Sequence, residues 1–221
     1  MFRQYRNIAP GEYLLCALDT AQGGGDSTAM QVLSHTYADV PIVYESEEST
    51  DKFIPGLSRF LEAVADSTGV RPLIAPERQN GGMFLAERLS EMNMSGKYKM
   101  FKMPTIGKEE HDKKEPTRLG WDTNGATRPK MLQELQTAVD RSTLIVYDTQ
   151  TLRQCLSFIK TRSGRPEAEK LKHDDLVLSL AIAWQLYQLT GPPEVLTHLP
   201  GGTAQPAKLP DFEILDDNGF Y

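Results

Sequence analysis

A chain of 221 residues, 39% hydrophobic and 24% charged, is long enough for one packed α/β domain and too apolar for a disordered one. Its two cysteines, Cys16 and Cys155, lie in apolar stretches without metal-ligand spacing, which excludes a disulfide scaffold or a thiolate metal site and reads as a reducing, cytosolic-type compartment. The net charge of −6 leaves a nucleic-acid partner open, because a local basic surface decides that and not the total. No signal peptide opens the sequence, and the longest apolar stretch, 176–189, is too short and too polar to cross a bilayer.

Residues 1–11 read as a polar lead-in carrying Arg3 and Arg6. Residues 13–18 form the first strand, an apolar run of the kind buried on both faces, and the run ends in Asp19 before a Gly-rich turn, Gly23-Gly24-Gly25-Asp26. Residues 28–36 and 40–45 complete an antiparallel meander. The first of these alternates, Met30 and Val32 against Gln31 and Ser34, and is expected near an edge, half covered. A helix over 50–65 carries Phe53, Leu57, Phe60, Leu61 and Val64 on one stripe, and Gly69 stops it. A short buried strand at 71–75 delivers Glu77, and the Asn80-Gly81-Gly82 turn starts a helix with Leu85, Leu89 and Met92 inward.

Residues 97–103 read as a strand with a basic face, and 104–126 as a long loop of functional or mobile character. A helix at 128–140 with Pro129 at its start, a strand at 144–147 and a helix at 149–159 follow. Residues 160–172 are strongly charged around a Ser163-Gly164-Arg165-Pro166 turn, a candidate hairpin tip. The last helix, 173–189, is apolar nearly all round and belongs between layers, while 191–221 read as a flexible acidic Pro/Gly-rich tail. A meander followed by alternating strands and helices predicts a mixed sheet of five to six strands with helices on both faces, filling one domain over residues 1–190.

Asp19 and Glu77 fall at strand ends, where α/β sheets build ligand sites, and Asp174 and Asp175 fall at the start of the last helix. If they converge, the carboxylates repel one another, and a divalent cation removes that penalty. Hard oxygen ligands favour Mg²⁺ or Mn²⁺, and two ions roughly 3.5–4 Å apart suit in-line attack on a phosphodiester. Each acid also has a plainer role: helix capping for Asp174 and Asp175, an ion pair with Arg78 for Glu77. Adjacent helical residues diverge by about 100°, so Asp174 is favoured as the constant ligand, with Asp175 capping or meeting a second ion. His173 could orient a ligand or contact phosphate.

Two basic stretches flank this set. Residues 97–118, with Lys108, Lys113 and Lys114 among seven cations, and residues 160–172, with Lys160, Arg162, Arg165 and Lys172, each carry a net surplus of positive charge. Arg128 and Lys130 add to a helix start. Such surfaces suit backbone phosphates without sequence preference, and 160–172 is expected to gate DNA access as a mobile hairpin or loop beside the site.

With these residues in place, the chain resembles the C-terminal nuclease domain of the large terminase subunit of tailed bacteriophages, a branch of the RNase H-like superfamily. The likeness is carried by Ala17-Leu18-Asp19-Thr20-Ala21 with Gly25-Asp26-Ser27-Thr28, by Ile74-Ala75-Pro76-Glu77-Arg78-Gln79-Asn80-Gly81-Gly82, and by Leu119-Gly120-Trp121-Asp122-Thr123-Asn124 with Arg128-Pro129-Lys130. Lys172-His173-Asp174-Asp175-Leu176-Val177 is its most specific piece, and the whole spans residues 12–189. The resemblance implies an RNase H-like α/β fold, with Asp19, Glu77 and Asp174 as metal-binding carboxylates and Asp175 where a further one often acts. It implies cleavage of concatemeric double-stranded DNA by two divalent cations during genome packaging, in the cytoplasm of the infected bacterial host. The portal and small terminase subunit would be partners, with the packaging ATPase absent from this chain and no membrane involved. Two other readings stay open: another RNase H-like nuclease (a junction resolvase or ribonuclease), or a non-catalytic DNA-binding or docking module.

Overall fold

A computed structural model of the chain describes residues 1–20, 27–47, 50–79, 81–103, 118–160, 166–168, 174–191 and 193. Strand β1 (Phe2–Gln4) precedes the meander of β2 (Leu14–Asp19), β3 (Thr28–Ser34) and β4 (Asp39–Ser46). Helix α1 (Thr50–Thr68), strand β5 (Leu73–Pro76), helix α2 (Gly82–Met92) and the short strand β6 (Lys99–Met100) follow. Then come α3 (Thr127–Asp140), β7 (Ile145–Val146), α4 (Thr149–Ser157), the pair β8 (Phe158–Lys160) and β9 (Pro166–Ala168), and α5 (Asp175–Leu189).

The main sheet runs β1-β4-β3-β2-β5-β6, with β7 added beside β4, and β8–β9 form a separate two-stranded hairpin. Strands β2, β3 and β4 pair antiparallel, while β5 lies parallel to β2 and β6 parallel to β5. Side chains alternate along a strand, so the sheet sorts its residues onto two faces. Leu15, Ala17, Ala29, Leu33, Val43, Leu73 and Ala75 join one core with Met131, Leu135 and the apolar side chains of α5. Leu14, Cys16, Leu18, Met30, Ile42 and Ile74 join the other with Phe60, Leu61 and Val64 of α1 and Leu85 and Leu89 of α2. Helix α5 is buried from Leu176 to Leu186 because it lies against β2 and β3 on one side and against α3 on another.

Local signals set the element ends. Gly69 terminates α1 at φ +71°, a left-handed value that glycine adopts at little cost. Helix α3 starts where Asn124 Oδ1 accepts the N–H groups of Ala126 (2.9 Å) and Thr127 (3.1 Å), with Pro129 in the first turn.

The mixed sheet with helices on both faces is as the sequence predicts, but with seven strands and an added hairpin. The expectation of a polar lead-in is corrected: residues 2–4 pair antiparallel with β4, and Arg3 Nε ties this edge to Asp148 Oδ1 at 3.0 Å. The expected half-covered edge position of β3 is corrected too. It lies between β2 and β4 with all seven residues buried, because Gln31 donates to Thr151 Oγ1 (2.9 Å) and to the Leu176 carbonyl (3.2 Å). The chain does not run free through all of 104–126 either. Lys102 bridges Leu119 and Glu77 bridges Trp121, so residues 118–121 return to the sheet edge. The helix expected over 149–159 ends at Ser157, and the chain turns into β8. The tail at 191–221 lies, apart from residues 191 and 193, outside the described residues.

Candidate metal centre

The parallel register of β2 and β5 sets Leu18 beside Pro76, and the Glu77 N–H donates to the Leu18 carbonyl at 2.8 Å. One residue further along each strand stand Asp19 and Glu77. Alternation puts Asp19 on the face of Leu15 and Ala17 and Glu77 on the face of Leu73 and Ala75, the face that α5 covers. Both are buried, 5% and 4% exposed, and the Asp19 carboxyl lies close enough to Glu77 to feel its charge. Burial first, then the charge and hydrogen bond of Glu77, then the charges of Asp175 and Asp174, hold the Asp19 carboxyl well above the usual carboxylate range. Two buried carboxyl groups in contact need a proton or a cation between them.

Asp174 is the residue at the start of α5, its carbonyl accepting the Leu178 N–H at 2.8 Å, but its side chain makes no capping bond. Instead Arg128 Nη2 lies 2.6 Å from Asp174 Oδ2. Asp175, one residue on, accepts a hydrogen bond from Ser27 Oγ at 2.9 Å. Asp19 thus lies within electrostatic reach of Glu77, Asp174 and Asp175. Among the described residues, no three histidine, cysteine, aspartate or glutamate side chains already stand close enough to enclose an ion. The donor set itself fits a hard divalent cation: all oxygen, with Asp19 and Glu77 buried and Asp174 and Asp175 half-buried, and carrying negative charge that such an ion would neutralise.

The ion pair considered for Glu77 does not form. Arg78 Nη1 donates to the Leu119 carbonyl at 3.0 Å, and Nη2 lies 3.7 Å from Met83 Sδ. Arg128, expected on phosphate, is held by Asp174, whereas Lys130 is largely exposed and 3.7 Å from Glu134 Oε1. Lys160 ends strand β8 of the hairpin foreseen around 163–166. Asp26, Lys108, Lys113, Lys114, Arg162, Arg165, Lys172 and His173 lie outside the described residues.

The sequence assigns no role to two residues. Ser27 stands in the Gly25-Asp26-Ser27-Thr28 piece of the likeness, but its partner Asp175 lies at the far end of the chain, so no local pattern marks the bond. Gln154, a helical glutamine without distinguishing neighbours, accepts the Leu176 N–H at 3.0 Å. If these acids hold Mn²⁺, Ser27→Ala, which removes the hydroxyl bonded to Asp175, is expected to weaken its binding about 10-fold, read by titration calorimetry.

No family model and no curated protein matches this sequence. Solved structures do. The large terminase nuclease of the thermophilic phage G20c with bound magnesium superposes with a TM-score of 0.58 at 19% identity, covering 83% of this chain and 84% of that one. The nuclease domain of the Thermus phage P74-26 large terminase gives 0.57 at 17%, covering 86% of each. This chain has the fold of a large-terminase nuclease domain. The Mn-soaked human cytomegalovirus terminase nuclease domain shares it, with a TM-score of 0.52 at 12% identity over 82% of this chain and 90% of that one. The G20c terminase nuclease has also been solved with bound cobalt and bound zinc. Among the described residues of this terminase-like chain, no helix is long and apolar enough to cross a membrane.

Proposed function

We propose that the chain is a metal-dependent endonuclease that cuts concatemeric double-stranded DNA during viral genome packaging. The observation carrying this reading is the buried Asp19–Glu77 pair at the ends of adjacent strands, with the acidic start of α5 within electrostatic reach. Asp19, Glu77, Asp174 and Asp175 would hold divalent cations, Mg²⁺ or Mn²⁺. Such ions supply a water activated for attack and stabilise the leaving 3′-oxygen. The chain's own residues keep the acids in register: β2 and β5 fix Asp19 and Glu77, and Ser27 orients Asp175. The terminase structures solved with magnesium, cobalt, zinc or manganese support divalent cations as the kind of ligand.

Arg128, Lys130 and the 160–172 hairpin would meet the backbone of duplex DNA, together with Lys108, Lys113 and Lys114. Within a packaging motor the portal, the small subunit and an ATPase would be the partners, in the cytoplasm of the infected host, with 1–190 as the nuclease unit and 191–221 as its tail. The direct test is incubation of supercoiled plasmid with Mn²⁺, Mg²⁺ or EDTA. Nicking and linearisation with either metal, absent in EDTA, support the reading. Preference for four-way junctions or RNA–DNA hybrids would favour the resolvase or ribonuclease instead, and DNA binding without cutting would favour a docking module.

Neutralising Lys160, Arg162 and Arg165 together is expected to flatten the dependence of log K on log salt by about 0.9 for each phosphate these side chains cease to neutralise. An unchanged slope in a fluorescence-anisotropy titration would remove this hairpin from the DNA surface.

A further inference from the structure

The first N–H groups of a helix have no intrahelical partner, and the residue at the cap normally supplies an acceptor. Asp174 occupies that place in α5 and has the preferred chemistry, yet its carboxylate is turned to Arg128 and makes no capping bond. The acceptor comes from another helix: Gln154 Oε1 of α4 takes the Leu176 N–H at 3.0 Å. The carbonyl of Leu176 is held too, by Gln31 Nε2 at 3.2 Å. Gln31 also donates to Thr151 of α4, and the Thr151 hydroxyl and N–H are 2.6 and 2.7 Å from Asp148 Oδ2. Leu176, in the first turn of α5, is thus held at its N–H by Gln154 and at its carbonyl by Gln31, both uncharged amides.

We propose that Gln154 is a positioning residue that caps α5 in place of Asp174, so that both acidic side chains at 174–175 stay available to cations. An aspartate that capped its own helix would turn its carboxylate back onto the backbone N–H groups. A glutamine acceptor satisfies the same donor without adding a charge to a site already rich in carboxylates. The inference rests on the proposed metal-binding role of the four acids and assigns the uncharged group that keeps two of them in place.

The test uses the full chain and Mn²⁺ alone as probe, followed by titration calorimetry without DNA, with plasmid cleavage as a second readout. Gln154→Leu, close in volume but without an acceptor, is expected to weaken Mn²⁺ binding 10-fold or more, the scale for outer partners of metal ligands. The KM for DNA should stay constant, and turnover should recover at high Mn²⁺. Gln154→Glu, which keeps an acceptor but adds a charge, should recover part of the affinity, above Gln154→Leu and below wild type. In a double-mutant cycle, Asp174→Asn should cost much less Mn²⁺ affinity in the Gln154→Leu background than in the wild type, because Asp174 has already turned to the helix.

Equal Mn²⁺ affinity in Gln154→Leu and wild type, or full additivity with Asp174→Asn, overturns the proposal while leaving the nuclease reading intact. Wild type that binds no Mn²⁺ overturns both. Should Gln154→Leu unfold the chain by circular dichroism, Gln154→Glu decides: affinity as low as that of Asp174→Asn would overturn the cap.

Discussion

Asp19→Asn is expected to reduce metal-dependent plasmid cleavage by more than about 100-fold, since losing even an outer-shell partner of a metal ligand costs 10- to 100-fold. The same substitution should make the metal-free protein more stable near neutral pH. Asp19 is buried, in contact with Glu77, and within reach of the charges of Asp174 and Asp175, so the fold favours its protonated form. A carboxyl group whose pKa is raised on folding contributes its full stability below the unfolded value, about 3.9, and loses it as pH rises through the folded value. At pH 7 the metal-free wild type carries that penalty, and Asp19→Asn does not. The gap in melting temperature should therefore favour the variant in EDTA at neutral pH and close as pH falls towards 4. Saturating Mn²⁺ should reverse the order, because an ion that binds only the folded state adds about 2.7 kcal/mol at a hundred times its Kd. A thermal-melt series in EDTA and in Mn²⁺ between pH 4 and 8 reads both signs. A variant no more stable than wild type in EDTA would mean that Asp19 does not share its site with like charges.

Gly82→Ala is expected to cost about 3 kcal/mol, the upper end of the range for overpacking a tight contact. A Cβ on Gly82 would stand 1.5 Å from the Glu77 carbonyl oxygen, 2.7 Å from its carbon and 3.3 Å from Thr20 Oγ1. The obstruction is backbone rather than a side chain that could swing away, so either the start of α2 or the end of β5 must move. Moving β5 moves Glu77, and a displacement near 1 Å at a reacting centre costs on the order of 100-fold in rate. Gly81→Ala is the control: it has open space around it at φ +89°, and only the left-handed backbone opposes it, at about 1–2 kcal/mol. Urea unfolding alongside plasmid cleavage separates the two. Equal stability and equal cleavage for Gly82→Ala and wild type would mean that the close approach of α2 to Glu77 does not hold.

The parts of this fold with local periodicity were legible. The apolar run into Asp19, the stripe of α1 with its stop at Gly69, and the all-round apolar α5 announce themselves over a few turns or pleats. Asp19 and Glu77 were legible singly as acids at the ends of buried strands, whereas their pairing depends on the parallel register of β2 and β5, which no local pattern gives. Strand β1 was not, because Phe2-Arg3-Gln4 is too short and polar to show a period, and it is made a strand by pairing with β4. The burial of β3 was hidden because the partners of Gln31 lie in α4 and α5, far along the chain. Arg128 illustrates the same limit at the site. Its charge suits a phosphate contact, and only the fold brings it to Asp174. Ser27 and Gln154 act through single hydrogen bonds across long sequence separations, which leave no pattern in composition or spacing.

The most direct measurement is anomalous scattering at the manganese edge from crystals soaked in Mn²⁺, wild type beside Asp19→Asn. A peak within coordination distance of both Asp19 and Glu77, with the 174–175 acids turned towards it and the peak gone in the variant, is the expected result. Ordered density for Asp19 and Glu77 with manganese absent from that end of the sheet would contradict it.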